Sequence, residues 1–526
     1  MTAIDPSSPT RPLDMDRAVI AGSAIVFLSL CALFWPFVAD DAYIVGRYAQ
    51  NAAAGHGLVY NVGEQVSALT SPLHALLEAA LAYCGLDPVA AYRIIAPGLV
   101  LAGWLAAIRE TGLRGPALLV FTTLSLFSPF LALWTVGGLE TPILAFLCTL
   151  FVSRLVVMSR NGAAETRDFI LLGVLGALMF LTRHDSILVT TPILLAIVLV
   201  EYRRPALWVA AALSIALASA WLLFSALYYG DIFPTSYYLK FALGGRPPID
   251  SLSALLNFVL LSGLIAVIFF ARAPALGDRP PLSRALLRGA AFSAVLFLLY
   301  ASRASGQHMM FGYRLFVPYL MGAALVLSLS LGNAPRVLPV LMVGWQTVII
   351  AVVTFAGTNP APLTRLPFLN AAYAEYEFIT PATFGRHMAI LQNDASAIAA
   401  HWAANGNSQR PTIYLRSGGT GYFLPEFYVY EALVSYRHGC GVSMRESVLA
   451  ANYMQQLGFS KSGTFVQDTG RSRPDIADDA PLLFATTMDW MGQHVTGYLF
   501  GPDPTPLHLG ARIGSGCHAG AGESHS

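Results

Sequence analysis

The residues best suited to chemistry fall in short polar clusters between long apolar runs. The first reads Asp40-Asp41-Ala-Tyr43-Ile-Val-Gly-Arg47-Tyr48, followed by Gly55-His56-Gly57-Leu-Val-Tyr60-Asn61. Adjacent carboxylates at the edge of a hydrocarbon layer are costly unless a cation pairs with them or a reaction uses them. The use would be proton removal from a hydroxyl; the bland alternative is a solvated stop signal. Gly137-Gly138-Leu139-Glu140-Thr141 opens another apolar run, where a Glu also suits a helix dipole. Arg183-His184-Asp185 puts three ionisable groups in one tight connection. Tyr237 and Lys240 belong to an aromatic segment running from Tyr228, and His308 and Arg314 to a segment before a later run. An Arg at such an entrance either reaches lipid phosphates or grips a substrate phosphate bidentately. Arg93, within a run, has the same two readings.

These clusters require membrane helices to position them. Only 12% of the 526 residues are charged and 56% are hydrophobic. A soluble globular chain carries about 25% charged residues. Apolar runs span 18–38, 87–108, 115–134, 139–158, 169–182, 186–202, 205–228, 251–271, 289–303, 314–332 and 336–356, which is eleven membrane-helix candidates. The run 73–84 is too short to span. With His74 and Glu78 four apart on one face, it suits an interfacial helix.

With the N-terminus inside, the arginines at 11, 17, 109, 114, 160, 167, 203, 204, 272, 279, 284, 288 and 336 all fall in cytoplasmic segments, as the positive-inside rule asks. The polar clusters then share the outer side. After Phe355 the chain is more polar, and helix-like stretches (384–404, 443–457) alternate with strand-like ones (412–415, 464–467), the pattern of a small α/β unit. The fold class expected is therefore mainly α: a polytopic membrane domain over 1–356 and an extracytoplasmic α/β domain over 357–526. Cys440 and Cys517 are the only cysteines of that outer domain, and they are expected to pair in an oxidising compartment.

A net charge of +1 gives no electrostatic case for nucleic acid. No phosphate loop, dinucleotide fingerprint, H-E-x-x-H or G-x-S-x-G occurs, so an outward site needs a substrate delivered from the membrane.

The ordered set of clusters resembles the GT-C membrane glycosyltransferases, and among them the bacterial arabinofuranosyltransferases of the cell envelope. The matching residues are Asp40-Asp41-Ala-Tyr with Arg47-Tyr48, Gly55-His-Gly-Leu-Val-Tyr-Asn61, Thr70-Ser71-Pro72-Leu73, Gly138-Leu-Glu140-Thr141 and Thr182-Arg183-x-Asp185. Tyr229-Gly-Asp231-x-x-Pro234-Thr-x-Tyr237-Tyr-x-Lys240 and Gly312-Tyr-Arg314 complete the set over roughly residues 35–330, with Ser417-Gly-Gly-Thr-Gly421-Tyr422 a weaker match beyond it. The family's usual Arg-Pro-Asp-Gly turn stands here as Arg183-His184-Asp185-Ser186.

The resemblance implies a polyprenyl-phosphate sugar donor, an envelope glycan or protein acceptor, and inversion at the anomeric carbon. Asp40 or Asp41 would be the base, and Lys240, Arg314 and Arg183 the donor-phosphate cations. Arg47, Tyr43, His56, Glu140, His184, Asp185, Tyr237 and His308 would line the substrate site. A divalent cation (Mg2+, Mn2+ or Ca2+) shared by Asp40 and Asp41 is compatible with this set but not demanded by any ligand spacing. A protein O-glycosyltransferase, of the pilin or flagellin type, and a lipid or sugar transporter or flippase are the competing readings.

Overall fold

A computed structural model describes residues 13–237, 248–270, 279–304, 312–331, 335, 337–358, 360, 362–365, 380–404, 412–414, 421–430, 465–468, 482–490 and 493–500. Lys240, His308, Cys440, Cys517 and the stretch 443–457 lie outside them.

Among the described residues, seven helices are long and apolar enough to cross a membrane. They are α1 (Leu13–Leu33), α4 (Pro88–Thr111), α7 (Thr141–Asn161), α10 (Pro205–Tyr229), α13 (Pro281–Ala304), α15 (Leu338–Phe355) and the run His184–Glu201, which contains α9 (Ile187–Glu201). An eighth span is formed if α5 (Gly115–Ser125) and α6 (Pro129–Val136) are taken together across a 52° bend. Pro129 opens α6, and proline at a first helical position is tolerated where it would break the interior. The difference from eleven expected spans lies in short elements. Helix α8 (Thr166–Thr182) has 17 residues. Shorter still are α11 (Pro248–Leu261), α12 (Leu264–Ile268) and α14 (Leu320–Leu329). Large apolar side chains such as Ile25, Leu199, Leu227 and Phe355 face outward, as a lipid-facing surface requires.

Alternating helix directions put two polar layers at opposite ends. At one end Arg160 donates to the Thr111 carbonyl at 2.7 Å, Arg154 to Asp168 at 2.6 Å and Arg204 to the Ala164 carbonyl at 2.5 Å. The other end holds the starts of α4, α7 and α9 and the finish of α8.

Two shorter helices cover that second end. The first is α2 (Asp40–Ala53), a 14-residue helix where the hydropathy of the sequence suggests only a loop. Its apolar face is interrupted by Gly46 and Arg47, which hides the helical period from a hydropathy scan. Asp40 and Asp41 stand in its first turn, where carboxylates favour the helix dipole. They are thus about 100° apart around the helix axis. The second is α3 (Pro72–Tyr83), whose buried face carries His74, Ala75 and Glu78 and packs on α2, α4 and α8. Later elements include α16 (Pro381–Ala404) and five strands, β1 (Thr412–Tyr414), β2 (Tyr428–Tyr430), β3 (Phe465–Asp468), β4 (Leu482–Trp490) and β5 (Gln493–Phe500). The strands pair in the order β2-β1-β3-β5-β4, with β1 parallel to both neighbours and β5 antiparallel to both of its own.

Candidate functional site

Five charged side chains from four separate stretches join in one chain of ion pairs. Arg314 reaches Asp41 at 3.2 Å and Glu140 at 3.3 Å, and Arg183 reaches Glu140 at 2.6 Å. Arg183 also grips Asp185 with two parallel bonds, at 3.0 and 2.6 Å, the fork geometry that suits guanidinium and carboxylate. Glu140 is the hub and is 1% exposed. Burial alone would push its carboxyl up, but Arg314 and Arg183 outweigh burial and hold it below the usual carboxylate range, as opposite charges do. Asp41 is far more open, with 48% of its side chain exposed.

Asp40 sits beside this chain, half-buried, with its Oδ1 accepting the Asp41 amide at 2.9 Å. Burial first, and the Asp41 charge second, push its carboxyl up to about 7, against the lowering effect of that amide and of Arg314. Such a group is matched to proton transfer near neutrality.

Backbone geometry explains how these stretches meet. The Ala39 amide donates to the Gly137 carbonyl at 3.0 Å, tying the start of α2 to the loop that carries Glu140. Gly138 has φ +80°, and a Cβ there would sit 2.8 Å from the Ala42 Cβ, so only glycine lets α2 approach. Arg93, 8% exposed, donates to the Val136 carbonyl at 2.6 Å, to the Phe37 carbonyl at 2.9 Å and to the Trp35 carbonyl. It therefore pins the loops before Asp40 and before Glu140 together, rather than facing lipid or phosphate. Trp134 supports Arg314: its indole donates to the Gly312 carbonyl at 2.9 Å, and the guanidinium lies 5.5 Å from its ring centre, within the range of cation–π attraction. Between them Tyr313 holds φ 56°. An aromatic residue rarely adopts that left-handed conformation, and such strain recurs at functional sites.

The other expected residues that the structure describes take separate places. His184 packs on Phe180 at 4.9 Å and, with Asp185 and Tyr237, lines a largely apolar cavity of about 660 Å³ between α8, α9 and α10. Tyr43 packs its ring on Tyr422 and Phe423 at 5.0 and 5.1 Å, and His56 is exposed in the turn after α2. Arg47 is 1% exposed and directed at backbone carbonyls. No three His, Cys, Asp or Glu side chains gather as metal ligands among the described residues, and Arg314 already occupies one Asp41 oxygen.

The bracing by Arg93 and Trp134 and the burial of His74 and Glu78 leave no mark in the sequence beyond one spacing. That pair is 0% exposed, 3.2 Å apart, with the His74 ring 4.3 Å from Tyr92. The four-residue spacing is the available signal for the pair; nothing in the order of residues announces a carbonyl clamp.

The fold and site together are those of a multi-pass membrane protein with a buried cluster of ion pairs at one end of its helices. No family model and no curated protein matches the chain. Among solved structures it has the fold of ArnT from Cupriavidus metallidurans bound to undecaprenyl phosphate, at TM-score 0.54 and 12% identity over 90% of this chain and 98% of that one. The apo state of the same protein gives TM-score 0.53 and 13% identity over 91% and 98%. At such identity the likeness is one of fold.

Proposed function

We propose that this chain is an inverting glycosyltransferase that moves a sugar, arabinofuranose-like, from a polyprenyl-phosphate donor to an extracytoplasmic acceptor, an envelope glycan. The observation that carries the reading is Asp40, half-buried beside the Asp41–Arg314–Glu140–Arg183–Asp185 chain, with Asp185 also lining the apolar cavity. The fold shared with a protein solved with undecaprenyl phosphate supports the donor class. We further infer that the chain crosses the membrane eleven times with its N-terminus in the cytoplasm, 1–356 being the membrane domain and 357–526 the outer α/β domain.

In this reading Asp40 takes the proton of the acceptor hydroxyl as its oxygen bonds to the anomeric carbon. The bond from that carbon to the donor phosphate breaks on the opposite face, and its electron pair stays on the phosphate oxygen. The departing polyprenyl phosphate is a good leaving group, so no strong acid is required; cations must meet the developing charge. Three carboxylates against two guanidiniums leave the ion-pair chain one negative charge in excess before Asp40 is counted. Arg314 therefore serves the phosphate with help, and Lys240 is the residue we assign to give it. His184 and Tyr237, lining the cavity, would border the isoprenoid chain.

The test is transfer by purified protein from a panel of radiolabelled polyprenyl-phosphate sugars to membrane acceptors. A labelled glycan with inverted configuration is expected. Labelled protein instead would assign a protein O-glycosyltransferase, and movement of intact donor across vesicles without transfer would assign a flippase.

A further inference from the structure

Arg47 has the attributes of a substrate-binding residue in the sequence, yet its surroundings give it other work. Its Nε donates to the Tyr60 carbonyl at 2.8 Å. One terminal nitrogen donates to the Gly421 carbonyl and, at 3.3 Å, to that of Leu424; the other donates to the Phe427 carbonyl at 2.6 Å and to Asn61 Oδ1 at 3.5 Å. The planar fork, rigid and rich in donors, thus gathers three carbonyls of one short segment, 421–427, which lies 374 to 380 residues away in the chain. The residue after Phe427 begins β2, so the same fork ties the five-stranded sheet to α2.

That segment is fitted to α2 and α4 along its length. The Tyr422 hydroxyl donates to Asp87 at 2.8 Å, and Asp87 accepts from the Ala90 amide at 2.8 Å. The second bond caps the start of α4. Tyr422 and Phe423 pack their rings on Tyr43, one turn from Asp40. Gly46 lies where a Cβ would meet Val89 and the Tyr422 ring, and Gly421 where one would meet the Tyr60 hydroxyl and Arg47, so both contacts are closed to a larger residue.

We propose that Arg47 is a positioning residue: it straps residues 421–427 across α2 and thereby fixes the helix whose first turn presents Asp40 and Asp41. Arg47 stands seven residues after Asp40, about 10 Å along the helix axis at about 1.5 Å per residue. A tilt of roughly 6° about that point moves the carboxylates about 1 Å, enough to cost on the order of 100-fold in rate where reacting groups must be aligned. The strap makes a C-terminal segment part of the frame of the site.

The inference rests on the transferase reading for its kinetic arm alone. The variant is Arg47→Lys in the full-length protein, which keeps the charge but replaces the fork by a single ammonium. Amide hydrogen exchange should quicken in 421–427 and in the first turn of α2 together. Turnover should fall about 10- to 100-fold with donor KM within about twofold. If Arg47→Lys does not fold, Tyr422→Phe removes only the hydroxyl bond to Asp87, and it should show the same paired exchange change with a smaller loss of turnover. Exchange that quickens in 421–427 while α2 stays at the wild-type rate would overturn the proposal. So would a raised donor KM with turnover kept, which would make Arg47 a ligand of the substrate. Wild-type protein that transfers no sugar would defeat the transferase reading, and the exchange arm would still decide the strap.

Discussion

Replacing Asp41 by Asn should move the acid limb of the rate–pH profile, and the direction is fixed by the geometry. Asp40 must be ionised to act as a base. Its carboxyl is pushed up to about 7, so kcat/KM should rise with pH through a midpoint near that value. The proposed donor is a phosphodiester and does not titrate there. Asp41 raises the Asp40 value by like charge. Two unit charges about 6 Å apart at an effective dielectric of about 20 repel by roughly 3 kcal/mol, or about two pH units. Asp41 is 48% exposed and paired with Arg314 at 3.2 Å. Solvent and the guanidinium therefore screen it, and about one unit is a fair expectation. Asp41→Asn also releases Arg314 from that pair, and its positive charge lowers the Asp40 value further. Both effects carry the midpoint down by about one unit. The assay is kcat/KM for donor from about pH 5 to 9 at constant ionic strength, wild type against Asp41→Asn. A midpoint that stays put or rises would refute the assignment of the limb to Asp40.

Three further outcomes follow from the bracing of the site. Glu140→Gln leaves Arg183 and Arg314 without their shared carboxylate. Loss of one partner of a buried pair should cost roughly 3 kcal/mol, read as a lower thermal midpoint in detergent. At Gly138 φ is +80° and Ala42 is in the way, whereas Gly98 has nothing within 4 Å. Gly138→Ala should therefore destabilise by about 1–3 kcal/mol in the same thermal assay, and Gly98→Ala should leave the midpoint close to wild type. Arg93→Lys keeps the charge but loses the fork across the Val136, Phe37 and Trp35 carbonyls. Turnover should then drop with little change in donor KM, because a single ammonium cannot span three acceptors; a selective rise in KM would make Arg93 a phosphate ligand after all.

The sequence shows the chain's membrane character because lipid leaves a strong compositional trace: about twenty apolar residues in a row match the thickness of a bilayer. It also marks Asp40, Asp41, Glu140, Arg183, Asp185 and Arg314, since ionisable residues at the ends of apolar runs stand out against their neighbours. What it does not mark is how they pair. Glu140 alone looks like a dipole partner, and its place between two arginines depends on where 183 and 314 return in space. Helix α2 is illegible because its buried face mixes Ala, Gly and Arg with aliphatic residues, and it is held by α3, α4 and the 421–427 strap. Short helices owe most of their stability to such packing rather than to their own pattern. Arg93 and Arg47 are legible as unusual, but their targets are backbone carbonyls, which every residue has and no sequence pattern distinguishes.

The most direct measurement of the central claim is single-turnover transfer from a polyprenyl-phosphate sugar at saturating donor, wild type against Asp40→Asn. The replacement is nearly isosteric and keeps an acceptor for the Asp41 amide. Turnover should fall at least about 100-fold, the low end for a lost general base, with donor binding within about twofold of wild type. Near-normal turnover in Asp40→Asn would contradict the account and remove Asp40 from the chemistry.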